Sequence, residues 1–162
     1  MRHKILITGA NGLLGSNVII QLIKKGHSVK AMLRDEKKFI DYKHPNLSFV
    51  VGDITNYKDL ELAINESDYV IHAAANTSLD LLSLEEYYET NVLATKNIIE
   101  LCIKNNVKRL VYVSSATCFG YGSLNDLGDE SKPIKYPMSK IFFSLSKKKA
   151  HQLVNDSSDK LN

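Results

Sequence analysis

Lys4–Gly15 reads KILITGANGLLG, and its two halves call for different backbones. Lys4 to Thr8 is a short apolar run suited to a strand buried on both faces of a parallel sheet. The second half carries glycines at 9, 12 and 15. Beyond them Leu14, Val18, Ile19, Leu22 and Ile23 recur at three- and four-residue steps, which predicts an amphipathic helix over Leu13–Lys25 closed by Gly26. Glycines at a strand-to-helix junction let the chain turn tightly, let a pyrophosphate approach the backbone and let the helix pack close on the strand. The helix N-terminus adds unpaired N–H groups and about half a positive charge. That position favours a dinucleotide site over a merely structural turn.

The same alternation continues outward. Ser28–Leu33, Leu47–Val51, Tyr69–His72 and Arg109–Ser114 read as further strands, Leu47–Val51 reached through the turn signal His44-Pro45-Asn46. Helices are predicted at Tyr57–Asn65, capped by Asn56 or Thr55, at Glu85–Asn105 and at Ser139–Val154. On the long helix Val92, Thr95, Ile98, Ile99 and Cys102 share one face. Parallel strands need crossovers of a dozen or more residues, and right-handed crossovers give a doubly wound α/β sheet in the order 3-2-1-4-5.

Composition agrees. The 162 residues are 44% hydrophobic and 24% charged with a net charge of +3, an ordinary globular balance with no basic surface for nucleic acid. No apolar run approaches the roughly 20 residues needed to span a bilayer, and the N-terminus lacks the pattern of a signal peptide. Two cysteines, Cys102 and Cys118, make neither a disulfide framework nor a metal site. A reduced, cytoplasmic, single-domain protein is expected.

Thr8-Gly9-x-x-Gly12-x-x-Gly15 resembles the fingerprint of the extended short-chain dehydrogenase/reductase family, which includes the NAD-dependent epimerases and dehydratases. Four segments are similar as well. Gly52-Asp53-Ile54-Thr55 resembles the family's acidic turn, His72-Ala73-Ala74-Ala75 its small-residue strand end, and Asn91-Val92-Leu93-Ala94-Thr95 its Asn-Val-x-Gly-Thr helix with Ala94 in place of Gly. Ser114-Ser115-Ala116-Thr117-Cys118-Phe119-Gly120 resembles the segment with the catalytic hydroxyl. The resemblance implies a Rossmann domain over 1–162 and an NADP or NAD cofactor held by Gly9, Asn11, Gly12, Leu13, Leu14, Gly15, Asp53, Ile54, Ala73, Ala74, Ala75 and Asn91. Asp53 would accept from the adenine amino group. It also implies a carbonyl or sugar-nucleotide substrate, and a sixth strand and C-terminal substrate domain that this chain stops short of. A homodimer through the long helix is a further expectation.

The cofactor's identity turns on the end of the second strand, Leu33-Arg34-Asp35-Glu36-Lys37-Lys38. An acidic residue there would favour NAD by holding the ribose 2′-hydroxyl. Arg34 comes first instead, with Lys38 close behind, and a guanidinium about 4 Å from a 2′-phosphate is worth roughly 4 kcal/mol before desolvation. Arg34 also matches an arginine of NADP-using relatives such as dihydroflavonol reductases. NADP is the favoured cofactor, although Asp35 and Glu36 partly cancel the charge.

In the family a Ser or Thr, a Tyr and a Lys four residues later do the chemistry, the Lys lowering the phenol pKa. Ser115 matches the hydroxyl. Two registers compete for the rest. Tyr136-Pro137-Met138-Ser139-Lys140 has the literal spacing, with Tyr136 and Lys140 in the two roles. Phe143-Ser144-Leu145-Ser146-Lys147-Lys148-Lys149-Ala150-His151-Gln152 is more similar to the family's Tyr-x-x-Ser-Lys-x-x-Ala-Glu-Gln stretch, and the longer distance from Ser115 favours it. It puts Phe143 in the Tyr position beside Lys147, and Phe has no proton to give. The expectation is an impaired or silent catalyst, with a non-catalytic dinucleotide-binding or NADPH-sensing module as the alternative. His72 is expected to pack beside the cofactor rather than to bind a metal, and His3, His27, His44 and His151 to be exposed.

Overall fold

A computed structural model describes residues 1–78 and 80–161. Five strands, β1 (Lys4–Thr8), β2 (Ser28–Leu33), β3 (Leu47–Val51), β4 (Tyr69–His72) and β5 (Arg109–Tyr112), form one sheet. Every pairing is parallel and the order is β3-β2-β1-β4-β5, the doubly wound order expected from the sequence.

Alternation along the strands divides the core in two. Leu6 and Met32 point to the side covered by α2 (Tyr57–Ile64) and α4 (Ala94–Lys104), where they meet Leu60, Ile64, Ile98 and Leu101. Ile5, Ile7, Val29, Ala31 and Leu33 point to the other side, against Ile19 and Ile23 of α1 (Leu13–Lys24). Gly26 ends α1 at φ +85°, with the His27 amide donating to the Leu22 carbonyl and the Gly26 amide to that of Ile23. A residue with a left-handed backbone, usually glycine, closes a helix in this way.

Three expectations shift. The long helix runs as α3 (Glu85–Tyr87), a π-helical stretch Tyr88–Leu93 and then α4. The fifth strand stops at Tyr112 rather than Ser114, because its partner β4 ends at His72. The last helix begins late. Met138–Lys140 is a separate turn of 3₁₀ helix, Ile141 is extended, and α5 spans Phe142–Asn155. Among the described residues, no helix is long and apolar enough to cross a membrane.

Candidate functional site

In this order the chain crosses from one side of the sheet to the other between β1 and β4, which is where doubly wound sheets form a crevice beyond the strand ends. A cavity of about 640 Å³ lies there. One wall is the glycine turn, from Gly9 and Asn11 through Gly12, Leu13, Leu14 and Gly15. Gly9 has φ +71°, and a Cβ on it would stand 2.7 Å from the Ala74 amide nitrogen. A Cβ on Gly15 would stand 2.2 Å from the Gly9 carbonyl oxygen. Glycine is required at both. The first turn of α1 has no side-chain cap and no acidic residue, so its unpaired amides and positive helix end face the cavity uncompensated.

The opposite wall comes from Met32, Leu33 and Arg34 after β2 and from Gly52–Thr55 after β3. The Thr55 backbone amide, chiefly, holds the Asp53 carboxyl below its usual range; burial opposes it, and the Thr55 hydroxyl and the Arg34 charge add to the lowering. Both Thr55 donors reach one Asp53 carboxylate oxygen at 2.9 Å. Ala73, Ala74, Ala75, Asn76, Thr77, Ser78 and Thr90 complete the lining.

The structure thus gathers every residue expected at the cofactor except two. Lys38 lies exposed on the short Glu36–Lys38 turn, and Asn91 is buried behind the wall. The Asn91 side chain accepts from the Asn76 amide at 2.7 Å and donates to the Asn76 carbonyl at 3.0 Å. It holds the lining rather than forming it. Asn76, Thr77, Ser78 and Thr90 join the lining beyond the sequence expectation; the first three follow a strand that ends at this edge, and Thr90 reaches it from the π-helical stretch.

Beyond β5, Ser115 caps the Ala116–Cys118 turn, its Oγ accepting from the Thr117 amide and sharing a 2.8 Å hydrogen bond with Thr117 Oγ1. Lys147 is only 4% exposed. Its ammonium donates to the Val113 carbonyl at 2.8 Å, two residues before Ser115, and sits 4.2 Å from the Tyr112 ring centre. Burial pushes this amine down to about 8. Phe143, one turn earlier on α5, faces Tyr87 with ring centres 6.3 Å apart. Tyr136 and Lys140 are not brought onto one helical face, because Ile141 separates their turn from α5 and Tyr136 is 73% exposed.

The histidines correct the sequence reading. His3, His27, His44 and His151 are half-buried rather than exposed; His3 stacks on His27 at 5.5 Å, and His151 packs edge-on against Phe119 with Nδ1 3.2 Å from Ser114 Oγ. An aromatic ring with polar ends satisfies both surroundings at a sheet margin. Among the described residues no group of His, Cys, Asp or Glu has the arrangement of a metal site.

The family model of the NAD dependent epimerase/dehydratase family matches residues 5–161. The chain belongs to that family. A 3-beta-hydroxysteroid dehydrogenase of Mycolicibacterium neoaurum is 34% identical to this epimerase/dehydratase chain over 138 residues, covering 80% of the chain and 37% of the relative. A UDP-glucose 4-epimerase of Rickettsia rickettsii is 34% identical over 125 residues, covering 68% and 36%. Among solved structures, the Bordetella bronchiseptica enzyme WbmH in complex with NAD+ superimposes with a TM-score of 0.82 at 26% identity, covering 97% of this chain and 53% of that one. The epimerase/dehydratase chain therefore spans little more than a third of these curated relatives and about half of this solved relative.

Proposed function

We propose that this chain is the dinucleotide-binding part of an oxidoreductase or epimerase that acts on a carbonyl or sugar-nucleotide substrate, and that it takes NADP(H) in preference to NAD(H). The observation that carries the reading is the cavity at the strand-order reversal, where three glycines, an uncapped helix N-terminus and Arg34 meet. The fit is specific. A Cβ at Gly9 or Gly15 would disrupt the turn, and the amides of Leu13, Leu14 and Gly15 are placed to receive a pyrophosphate. On this reading Arg34, in the lining just after β2, takes a 2′-phosphate, and Asp53 after β3 an adenine amino group. When bound, the nicotinamide accepts or supplies a hydride.

The chain's own residues set how well that chemistry runs. Ser115 is read as the hydroxyl that orients a substrate oxygen, and Lys147 as the buried cation beside it. The burial of Lys147 and its bond to Val113 support the register with Phe143 in the acid/base position over the one with Tyr136 and Lys140. Loss of a positioned acid/base costs about 10²–10⁴-fold in rate, so turnover is expected to be poor. The same Phe143 favours a second reading, a dinucleotide-binding module that does no chemistry. Pairing of two copies, if the long helix mediates it, would use the face bearing Leu93, Lys96, Glu100 and Ile103, where Leu93 and Ile103 are exposed.

Fluorescence titration of the 162-residue chain with NADPH and with NADH tests the reading. Saturable binding, tighter for NADPH, is expected, and no saturable binding of either would overturn it. Assays with UDP-glucose and with simple carbonyl compounds then separate the two readings. Robust turnover by the chain would remove the module, whereas a rate that rises only with Phe143→Tyr supports the impaired enzyme.

A further inference from the structure

Five buried polar side chains lie behind the cavity wall: Thr8, His72, Thr95, Asn91 and Ser146. None of them lines the cavity. Buried polar groups are costly unless each finds a partner, and here the roles follow once Thr95 gives its proton to its shortest contact, an oxygen that can only accept. Thr95 Oγ1 donates its single proton to the Asn91 carbonyl at 2.8 Å. It can therefore only accept from His72 Nε2, 3.1 Å away, so that nitrogen carries a proton. The imidazole is neutral, because burial and then the Lys147 charge push it down to about 3. Nδ1 is thus a lone pair, and it accepts from the Thr8 hydroxyl at 2.7 Å. Thr8 Oγ1 in turn accepts from the Ala74 amide at 3.3 Å.

The line runs in one direction from end to end: Ala74 N–H to Thr8, Thr8 to His72, His72 to Thr95, Thr95 to the Asn91 carbonyl. Bonds aligned head to tail polarise and strengthen one another. The side chain of Asn91 extends it. Its Nδ2 donates to Ser146 Oγ at 2.9 Å, and Ser146 donates to the Phe143 carbonyl at 2.7 Å. Through the two Asn76 bonds described above, the same amide grips the wall. Two stretches of cavity lining, at Ala74 and Asn76, are therefore anchored in a network that ends on α5, one residue from Lys147.

We propose that His72 is a positioning residue, held as the Nε2–H tautomer, that ties the dinucleotide-facing wall at Ala74–Asn76 to the helix carrying Phe143 and Lys147. The inference rests on the reading of the cavity as a dinucleotide site. A neutral imidazole accepts at one end and donates at the other, which is what Thr8 on β1 and Thr95 on α4 require. The opposite tautomer would set the bare Nε2 against Thr95, whose proton is already committed. Breaking the line should loosen the wall without changing any residue that lines it.

The test uses the 162-residue chain and whichever of NADPH or NADH it binds more tightly. Long-range proton–nitrogen NMR spectra at pH 7 should show the His72 ring with Nδ1 unprotonated and Nε2 protonated. Thr95→Val strands the His72 proton and the Asn91 carbonyl, and should weaken dinucleotide binding about tenfold, while Thr95→Ser, which keeps the hydroxyl, should bind as the parent does. Ser146→Ala, remote from the cavity, should weaken binding a few-fold, and its effect should fail to add to that of Thr95→Val. A Nδ1–H tautomer, an imidazolium at pH 7, or Thr95→Val that folds and binds like the parent would overturn the proposal. If the parent binds neither dinucleotide, the cavity reading fails instead, and the tautomer spectrum still judges the line itself.

Discussion

Replacing Gly15 by alanine sets two effects of opposite sign against each other. Gly15 lies in the first turn of α1, where alanine is the better helix former by about 1 kcal/mol. Its Cβ, however, would stand 2.2 Å from the Gly9 carbonyl oxygen and 3.1 Å from Ala10 Cα, where ordinary contact begins at 3.4 Å. The helix must draw back from β1 by about 1 Å. Overpacking costs about 1–3 kcal/mol, and the upper end applies because the obstacle is backbone. The net loss should be about 2 kcal/mol, which for a chain of this size lowers Tm by about 4–8 °C. The displacement also moves the amides of Leu13, Leu14 and Gly15 away from the rest of the wall. A hydrogen bond to a charged group is worth about 1.5–3 kcal/mol, so NADPH affinity should fall at least about tenfold. Gly26→Ala is the control. Its φ of +85° makes alanine strained, yet nothing lies within 4 Å of the new Cβ. It should cost about 1 kcal/mol of stability and leave affinity unchanged. Calorimetry and fluorescence titration of both variants decide the matter. Gly15→Ala that binds as tightly as the parent, or Gly26→Ala that loses as much affinity, would refute the argument.

Arg34→Leu should weaken NADPH binding about tenfold and leave NADH nearly unaffected; equal losses for both would remove Arg34 from the 2′-phosphate. The Lys147 amine is pushed down to about 8 in the folded chain, against 10.5 as its ordinary value. Between those two pH values the unfolded chain holds a proton that the folded chain lacks, so folding stability should rise with pH by up to about 1.4 kcal/mol per unit. Lys147→Met should lack that rise, and urea unfolding curves of parent and variant that stay parallel across this window would contradict it. Burial pushes the Cys102 thiol up to about 12 and raises that of Cys118 as well. A thiol reagent at pH 8 should therefore label neither in the folded chain and both in urea, and rapid labelling of the folded chain would show that burial has been misjudged.

Elements with a strong local signal are legible in the sequence alone. The apolar strands, the face Val92–Cys102 of the long helix and the glycine turn all depend on neighbours close in sequence, and periodicity reports these. What escaped depends on partners far along the chain. The end of β5 is set by where β4 stops. The half-buried histidines owe their surroundings to residues such as Phe119 and Tyr69. The motif around Asn91 points to the cofactor, yet its amide holds Asn76, fifteen residues back. Ser139 and Lys140 fit a helical pattern, but α5 starts only at Phe142, and nothing local in the sequence marks Ile141 as extended.

The π-helical stretch at Tyr88–Leu93 resets the rotational phase of the long helix. Each α-helical residue turns the side chain by about 100°, so Tyr87 on an unbroken helix would lie about 80° away from Thr95, toward the flank. One residue absorbed in the wide turn removes about 100° of rotation and brings the two to within about 20° of each other. Both are buried. The helix can therefore direct Tyr87 toward Phe143 and Ile98 toward the sheet from a single axis. Deleting one residue between 88 and 93 would remove the absorbed residue and leave Tyr87 seven regular steps before Thr95, still within about 20° of it, so the wide turn could close to plain α-helix with Tyr87 kept in its niche.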